Sequence, residues 1–188
     1  MTIHSASHTK PGSITVISGG GGAARFLRGL IDAVDAARIT AVVNTGDDTV
    51  LHGLSISPDL DTITYTLAGA IDPERGWGLV DETWRSMEAL GRYVSVRPDG
   101  SSAAPQWFNL GDQDLATHFY RTARLDEGAT LTQITEEIRR AWDVPICLVP
   151  MSDDRCSTIV SVIEDPDAGG TERDVSFQDY FAFRSSCV

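Results

Sequence analysis

The sequence predicts an α/β fold built on a parallel sheet, and three observations predict it. A short β-branched run, "SITVIS" (13–18), leads directly into four glycines at 19–22. The glycines open a stretch with helical spacing, "AARFLRGLIDAVDAA" (23–37), and a second apolar run, "ITAVVN" (39–44), follows it. Strand, glycine turn, helix and strand make a βαβ unit, whose crossover sets the two strands side by side and parallel. Ligands of an open parallel sheet lie beyond the carboxyl ends of its strands. The glycine turn and the loop after the second strand both leave from such ends, so one crevice should receive both.

Each element has its own justification. In 23–37 the spacing puts Phe26, Leu27, Leu30, Ile31 and Val34 on one helical face. "TITYTLAGAI" (62–71) reads as a helix begun after Asp61, a good N-cap type, or as a strand, because it is rich in β-branched residues. "DETWRSMEALGRY" (81–93) is helical by pattern, and "RPDGSSAAP" (97–105) is a polar, flexible loop. "GDQDLATHFYRTARL" (111–125) and "TLTQITEEIRRAW" (130–142) are two further helices. The second carries a Thr130/Gln133 capping box and apolar Leu131, Ile134, Ile138 and Trp142. "VPICLVP" (144–150) is a third buried strand, with Cys147 as apolar filler. The last forty or so residues turn to β-like runs, "STIVSVIE" and "DVSFQDYFAF".

Composition narrows the function. The 188 residues suit one domain or one plus a fragment. A formal net charge of −12 argues against a nucleic-acid surface, which needs a basic stripe. An anionic ligand must then be held by backbone amides, local arginines or a metal. No run of about 18 apolar residues is present, so no membrane span is expected. "MTIHSASHTKPGS" (1–13) lacks an apolar core and reads as a disordered leader rather than a secretory signal. Cys147, Cys156 and Cys187 are odd in number and not spaced for a metal, which suits a reduced cytoplasm.

The motifs point to phosphate and metal. Amides of a glycine turn between strand and helix can approach phosphate oxygens, aided by the helix N-terminus. The turn 19–22 is neither a P-loop nor a clean G-x-G-x-x-G, and close helix–strand packing explains it equally well. "VVNTGDDTVLHGLSISPDLDT" (42–62) gathers Asp47, Asp48, Asp59 and Asp61, while no Lys or Arg stands between Arg38 and Arg75. Mg²⁺ prefers carboxylate oxygens and completes its shell with phosphates and waters, so a divalent ion would neutralise these acids. A solvated turn with Asp caps is the plainer explanation. Asp48 and Asp61 suit function best, and Asp59 can be structural. His52 and His118 have no metal-type spacing and are expected to hydrogen-bond. Trp77 and Trp107 can cover a planar ring or pack in the core.

In combination, "SGGGGAARFLRGL", "SPDLDTITYTLAGAID", "RGWGLVDETW", "WFNLGDQDLATH", "LTQITEEI" and "VPMSDD" carry a family likeness. From about Ile14 to Arg184 the chain resembles the 2-phospho-L-lactate transferase family of coenzyme F(420) biosynthesis, particularly its phosphoenolpyruvate transferase branch. The resemblance implies a Rossmann-like parallel sheet with helices on both faces, usually in a homodimer. It implies Mg²⁺-dependent transfer of a phospholactyl or phosphoenolpyruvyl group from a guanosine diphosphate donor to the deazaflavin alcohol Fo, releasing GMP. Asp61 then meets the Fo ribitol and the metal, and Asn109 falls where the family makes a second Fo contact. Asp48 becomes the second metal ligand, and Gly19, Gly20 and Gly22 approach the diphosphate. Asp112, Asp114 and His118 shape the acceptor pocket.

Family chains continue for well over a hundred residues beyond the segment matching "FQDYFAFR". Residues 14–188 are therefore expected to be the N-terminal portion of a Rossmann-like transferase domain, truncated at its C-terminus, with little or no activity alone. Two rivals remain. A nucleotide-sugar-binding regulator of the gluconeogenesis-factor family shares the glycine-rich start, but "SPDLDT" and "LGDQDLATH" favour the transferase. A nicotinamide oxidoreductase would want an acid at the end of the second strand, where Asn44 stands.

Overall fold

A computed structural model describes residues 12–101, 103–104, 108–164, 170–177 and 180. The expected leader lies mostly outside them, as do Trp107, Cys187 and most of the run after residue 177. The βαβ unit forms as predicted. Strand β1 (Ile14–Ser18) runs parallel to β2 (Ile39–Val43), with helix α1 (Gly21–Ala33) as the crossover. The third expected strand, β5 (Cys147–Pro150), pairs parallel with the other edge of β2. The sheet order is β1-β2-β5, so the acidic loop leaves from its central strand.

Alternation along β2 decides how the sheet is covered. Ile39, Ala41 and Val43 are buried against Ala24 and Leu27 of α1 and against Leu60 and Ile63 of helix α2 (Pro58–Leu67). Leu131 of helix α5 (Leu131–Ala141) joins the same cluster with Leu148 of β5. Ile17, Val42 and Val149 are in register on the opposite face, and Ile17 is 82% exposed. Helices on both faces were implied; among the described residues they cover one face. Cys147 lies on that open face, in register with Thr40, and is exposed rather than buried filler, because Leu148 takes the inward position. Phe26 likewise leaves the expected apolar face and is 58% exposed, since Ala24 and Leu27 point at the sheet.

Helix α2 settles the ambiguity at 62–71 and starts earlier than expected. Ser57 is its N-cap and Pro58 occupies the first turn, where a missing N–H costs nothing. Asp61 is therefore inside the helix, not at its cap. A hairpin that the sequence reading treated only as loop, β3 (Thr49–Leu51) and β4 (Leu54–Ile56), turns at His52 and Gly53, both with positive φ. It packs through Leu51 and Ile56 on Leu110 and Leu115.

Helices α3 (Arg85–Gly91) and α4 (Asp114–Asp126) match two predicted helical stretches. The predicted capping box of α5 is present in both directions, Thr130 with Gln133. A two-stranded ribbon, β6 (Ile159–Glu164) and β7 (Thr171–Ser176), follows and is tied to the acidic loop by Thr158 N donating to Gly46 O at 2.8 Å. Among the described residues no helix is long and apolar enough to cross a membrane.

Candidate active site

The loops leaving β1 and β2 meet, as the topology requires. Gly20 caps α1 without a side-chain bond, and Gly21 and Gly22 form its first turn. Asp59, in the first turn of α2, lays its carboxylate against this glycine turn. A Cβ on Gly20 would lie 2.6 Å from Asp59 Oδ1, so a side chain there would push the Asp59 carboxylate aside. Asn44 Nδ2 donates to Asp59 Oδ2 at 2.9 Å and also to Asp47 Oδ1. One amide at the end of β2 thus joins the acidic loop to the glycine turn. Burial pushes the Asp59 carboxyl up, against the pull of the Asn44 bond.

Asp48 accepts from Ser57 Oγ at 2.7 Å through Oδ2, which explains why Ser57 makes no side-chain cap bond to its own helix. Its other oxygen, Oδ1, is buried without a partner among the described residues. Burial is the largest cause that pushes this carboxyl up to about 7, with Asp61 and Asp47 adding to it and Ser57 and Arg121 opposing.

Asp61 sits differently. It is 5% exposed, and the Arg121 fork from α4 grips both of its oxygens, Nη1 on Oδ2 at 3.2 Å and Nη2 on Oδ1. Arg121 is itself 2% exposed and also donates to Ser55 O at 3.3 Å. Burial pushes the Asp61 carboxyl up, and Arg121 pulls it back. His118 lies beside the pair, its Nδ1 3.3 Å from Arg121 Nη1 and its Nε2 3.3 Å from Asp114 Oδ2. A guanidinium only donates, so Nδ1 accepts and the proton is assigned to Nε2, facing Asp114. Tyr65, 1% exposed, donates its hydroxyl to Asp114 Oδ1. Burial works against the Asp114 carboxylate, but the contact with His118 and the Tyr65 hydroxyl outweigh it and hold the carboxyl low.

Sequence reasoning did not single out Arg121 or Tyr65. A signal for the former was present: Asp114, His118 and Arg121 stand at i, i+4 and i+7, one face of one helix. Ligand atoms of Asp61, Asp114 and His118 lie within 4.8 Å of one another, a spacing a metal could use. Arg121 already supplies the positive charge there.

A cavity of about 200 Å³ opens beside this network, at the carboxyl ends of β2 and β5. Thr45, Asp48, Ser57 and Arg121 line it, together with Asp154 of the predicted "VPMSDD" segment and its neighbour Arg155. Thr45 Oγ1, Asp48 Oδ1 and Arg121 Nε have no partner among the described residues and belong to residues of this one lining. For a divalent cation, Asp48 fits: it has a buried acceptor with no partner among the described residues. Asp61 fits less well, since Arg121 occupies both oxygens and Asp61 is not among the lining residues.

The remaining expected residues divide. Asp112 accepts from Thr83 Oγ1 and from the amides of Arg85 and Ser86, both at 3.0 Å, and so holds the first turn of α3. Those bonds, the Thr83 and Ser86 ones foremost, hold its carboxyl far below the usual range. Glu82 does the same for α4, accepting from Gln113 N at 2.6 Å. Asn109 is exposed next to Phe108. Of the expected set, Asp61 and His118 come together around Arg121, Asp48 lines the cavity with Arg121, and Gly19 and Gly20 meet Asp59.

Fold and site together define an α/β parallel-sheet domain with an acidic cavity and a glycine turn at its strand ends. The chain belongs to the CofD family: the family model for 2-phospho-L-lactate transferase CofD matches residues 14–180. A phosphoenolpyruvate transferase of Nocardia farcinica is 47% identical over 168 residues, covering 89% of this chain and 48% of that protein. One from Mycobacterium avium is 45% identical, covering 89% of this chain and 52% of that protein. The chain spans about half the length of the curated relatives it matches. A solved upf0052 family protein from Bacillus halodurans aligns at TM-score 0.46 and 17% identity, over 90% of this chain and 52% of that one.

Proposed function

We propose that this chain forms the metal and acceptor side of a Mg²⁺-dependent phosphoryl transferase. In this reading a phosphoenolpyruvyl or phospholactyl group moves from a guanosine diphosphate donor to a hydroxyl of the deazaflavin Fo, and GMP leaves. The observation that carries it is the cavity lining, where Thr45, Asp48 and Arg121 each keep a buried polar atom without a partner among the described residues. Phosphoryl transfer asks a protein mainly for positioning and for charge stabilisation, and this lining offers an acceptor for a cation beside donors for an oxyanion.

Asp48 would hold Mg²⁺, with waters and phosphate oxygens completing the shell; the ion would draw negative charge from the phosphoryl group. Asp61, held by Arg121, is a fixed acceptor, and each of its oxygens keeps a further lone pair to orient the attacking hydroxyl. A direct bond from Asp61 to the metal requires Arg121 to move. Amides of Gly19, Gly20 and Gly22 would receive the diphosphate, with Asn44 holding Asp59 out of its way. Asn109 would touch the acceptor at its exposed position, while Asp112 and His118 act by fixing α3 and Asp61. A cytoplasmic setting and a homodimer belong to the same reading.

Calorimetry tests it. Mg²⁺ should bind the wild-type chain and not D48N, and Fo should bind in the presence of Mg²⁺ and weaken in D61N. Uptake of neither Mg²⁺ nor Fo by the wild-type chain would remove the reading.

A further inference from the structure

The segment that follows β5 is fastened to the end of β2 and its loop at two points. Met151 N donates to Val43 O at 2.7 Å, and Thr158 N donates to Gly46 O at 2.8 Å. Between them, Thr132 N donates to Asp153 Oδ1 at 2.7 Å, which ties the segment to the first turn of α5. Asp154 N donates to Ser152 Oγ at 3.0 Å. Cys156 stands on this braced stretch. It is half-buried, and its thiol donates to Asp154 O at 3.5 Å, a weak bond from a weak donor.

Cys156 also lines the cavity that Asp48 and Arg121 line, with Arg155 beside it. That cavity is built to receive something. Thr45 and Arg121 are each 2% exposed, and Thr45 Oγ1 and Arg121 Nε have no partner among the described residues. Both atoms can donate, so an oxyanion entering the cavity would find two donors waiting. The bracing at Met151 and Thr158 keeps the Cys156 sulfur at the cavity wall, and a group joined to that sulfur is held there with it. Cys147 is placed differently: it begins β5, at the strand end away from the cavity, and lies exposed on the open face of the sheet.

We infer that Cys156 is a site of reversible covalent modification by a low-molecular-weight disulfide, and that the resulting cap excludes oxyanions from the cavity. The step is thiol–disulfide exchange. The Cys156 thiol gives its proton to solvent, and the thiolate attacks one sulfur of the incoming disulfide. A new S–S bond forms to Cys156 as the old one breaks, and the departing thiolate takes a proton from solvent. Cys156 is oxidised, the released thiol is reduced, and the disulfide is itself the oxidant. The second half of the inference rests on the oxyanion role given to this cavity in the transferase reading, and adds a means of regulating it.

The test uses the 188-residue chain as C147S/C187S, which leaves Cys156 as the single thiol. Dithiobis(nitrobenzoate) should release one equivalent of thionitrobenzoate from the folded chain, and the capped chain should keep its thermal midpoint. Calorimetry then reads the binding of inorganic pyrophosphate with Mg²⁺ present, before and after capping. We expect affinity to fall at least about tenfold on capping, what one lost hydrogen bond to a charged group costs, and to return with dithiothreitol. The same treatment of C147S/C156S/C187S should change nothing. No thionitrobenzoate release from the folded chain overturns the modification site. Equal pyrophosphate affinity before and after capping overturns the exclusion while leaving the transferase reading in place. Absence of pyrophosphate binding by the uncapped chain overturns both the exclusion and the oxyanion role of the cavity.

Discussion

Arg121 is the residue on which the site's charge balance turns. It is buried with Asp61, and a guanidinium and a carboxylate in such a place are tolerable only together. R121M should cost about 3–5 kcal/mol by leaving Asp61 charged and alone, and D61N/R121M should recover part of that loss. Urea unfolding of the wild type, R121M, D61N and the double variant measures it; additive losses would show that the pair is not coupled. Asp48 makes the opposite expectation. Its carboxyl is raised to about 7 in the folded protein, against 3.8 for the free group. The folded state therefore binds its proton more tightly. That contribution is complete below pH 4 and is lost as pH rises toward and through 7. D48N should then stabilise at pH 8 by about 2 kcal/mol, roughly half the full linkage value because the group is partly exposed, and change little at pH 4. Melting curves at the two pH values decide. Mg²⁺ should raise the midpoint of the wild type at pH 8 and leave D48N where it was.

At the scale of elements, helix starts do much of the positioning. Helix α4 carries Asp114, His118 and Arg121 into the site, and its first turn is held by Glu82, a residue about thirty positions away. Gly111 makes room for that contact, since a Cβ there would fall 2.0 Å from Glu82 Cδ. G111A should therefore expel the Glu82 carboxylate and lower stability by about 1–2 kcal/mol, the usual cost of a lost cap. In an E82A background the same change should cost much less, and a thermal-melt double cycle reads the difference. Helix α5 could be drawn from the sequence down to its capping box because Thr130 and Gln133 act within one turn. The hairpin β3–β4 escaped notice because each strand is only three residues long and its turn uses His52 rather than Asn or Asp before Gly53.

At the scale of the whole molecule, the sheet has a covered face and, among the described residues, an open one. The open face carries Ile17, Val42 and Val149 in register, and such a surface invites association. I17K should reduce dye binding and light scattering while leaving the melting midpoint within about 0.5 kcal/mol equivalent of the wild type, because Ile17 is 82% exposed. A large loss of stability would mean that this face is packed in solution. The sequence by itself determined the βαβ unit, the third parallel strand, the later helices and the convergence of glycine turn and acidic loop, because periodicity, caps and topology act over short stretches or through general rules of handedness. It also marked Asp48 and Asp61 as the acids to watch. Only the tertiary structure decided that the two acids differ. Arg121 arrives from sixty residues away to neutralise Asp61, whereas Asp48 meets the Ser57 hydroxyl and, among the described residues, keeps one oxygen bare. Charge balance inside a folded protein depends on which partners are brought through space, and no local pattern in the chain carries that information.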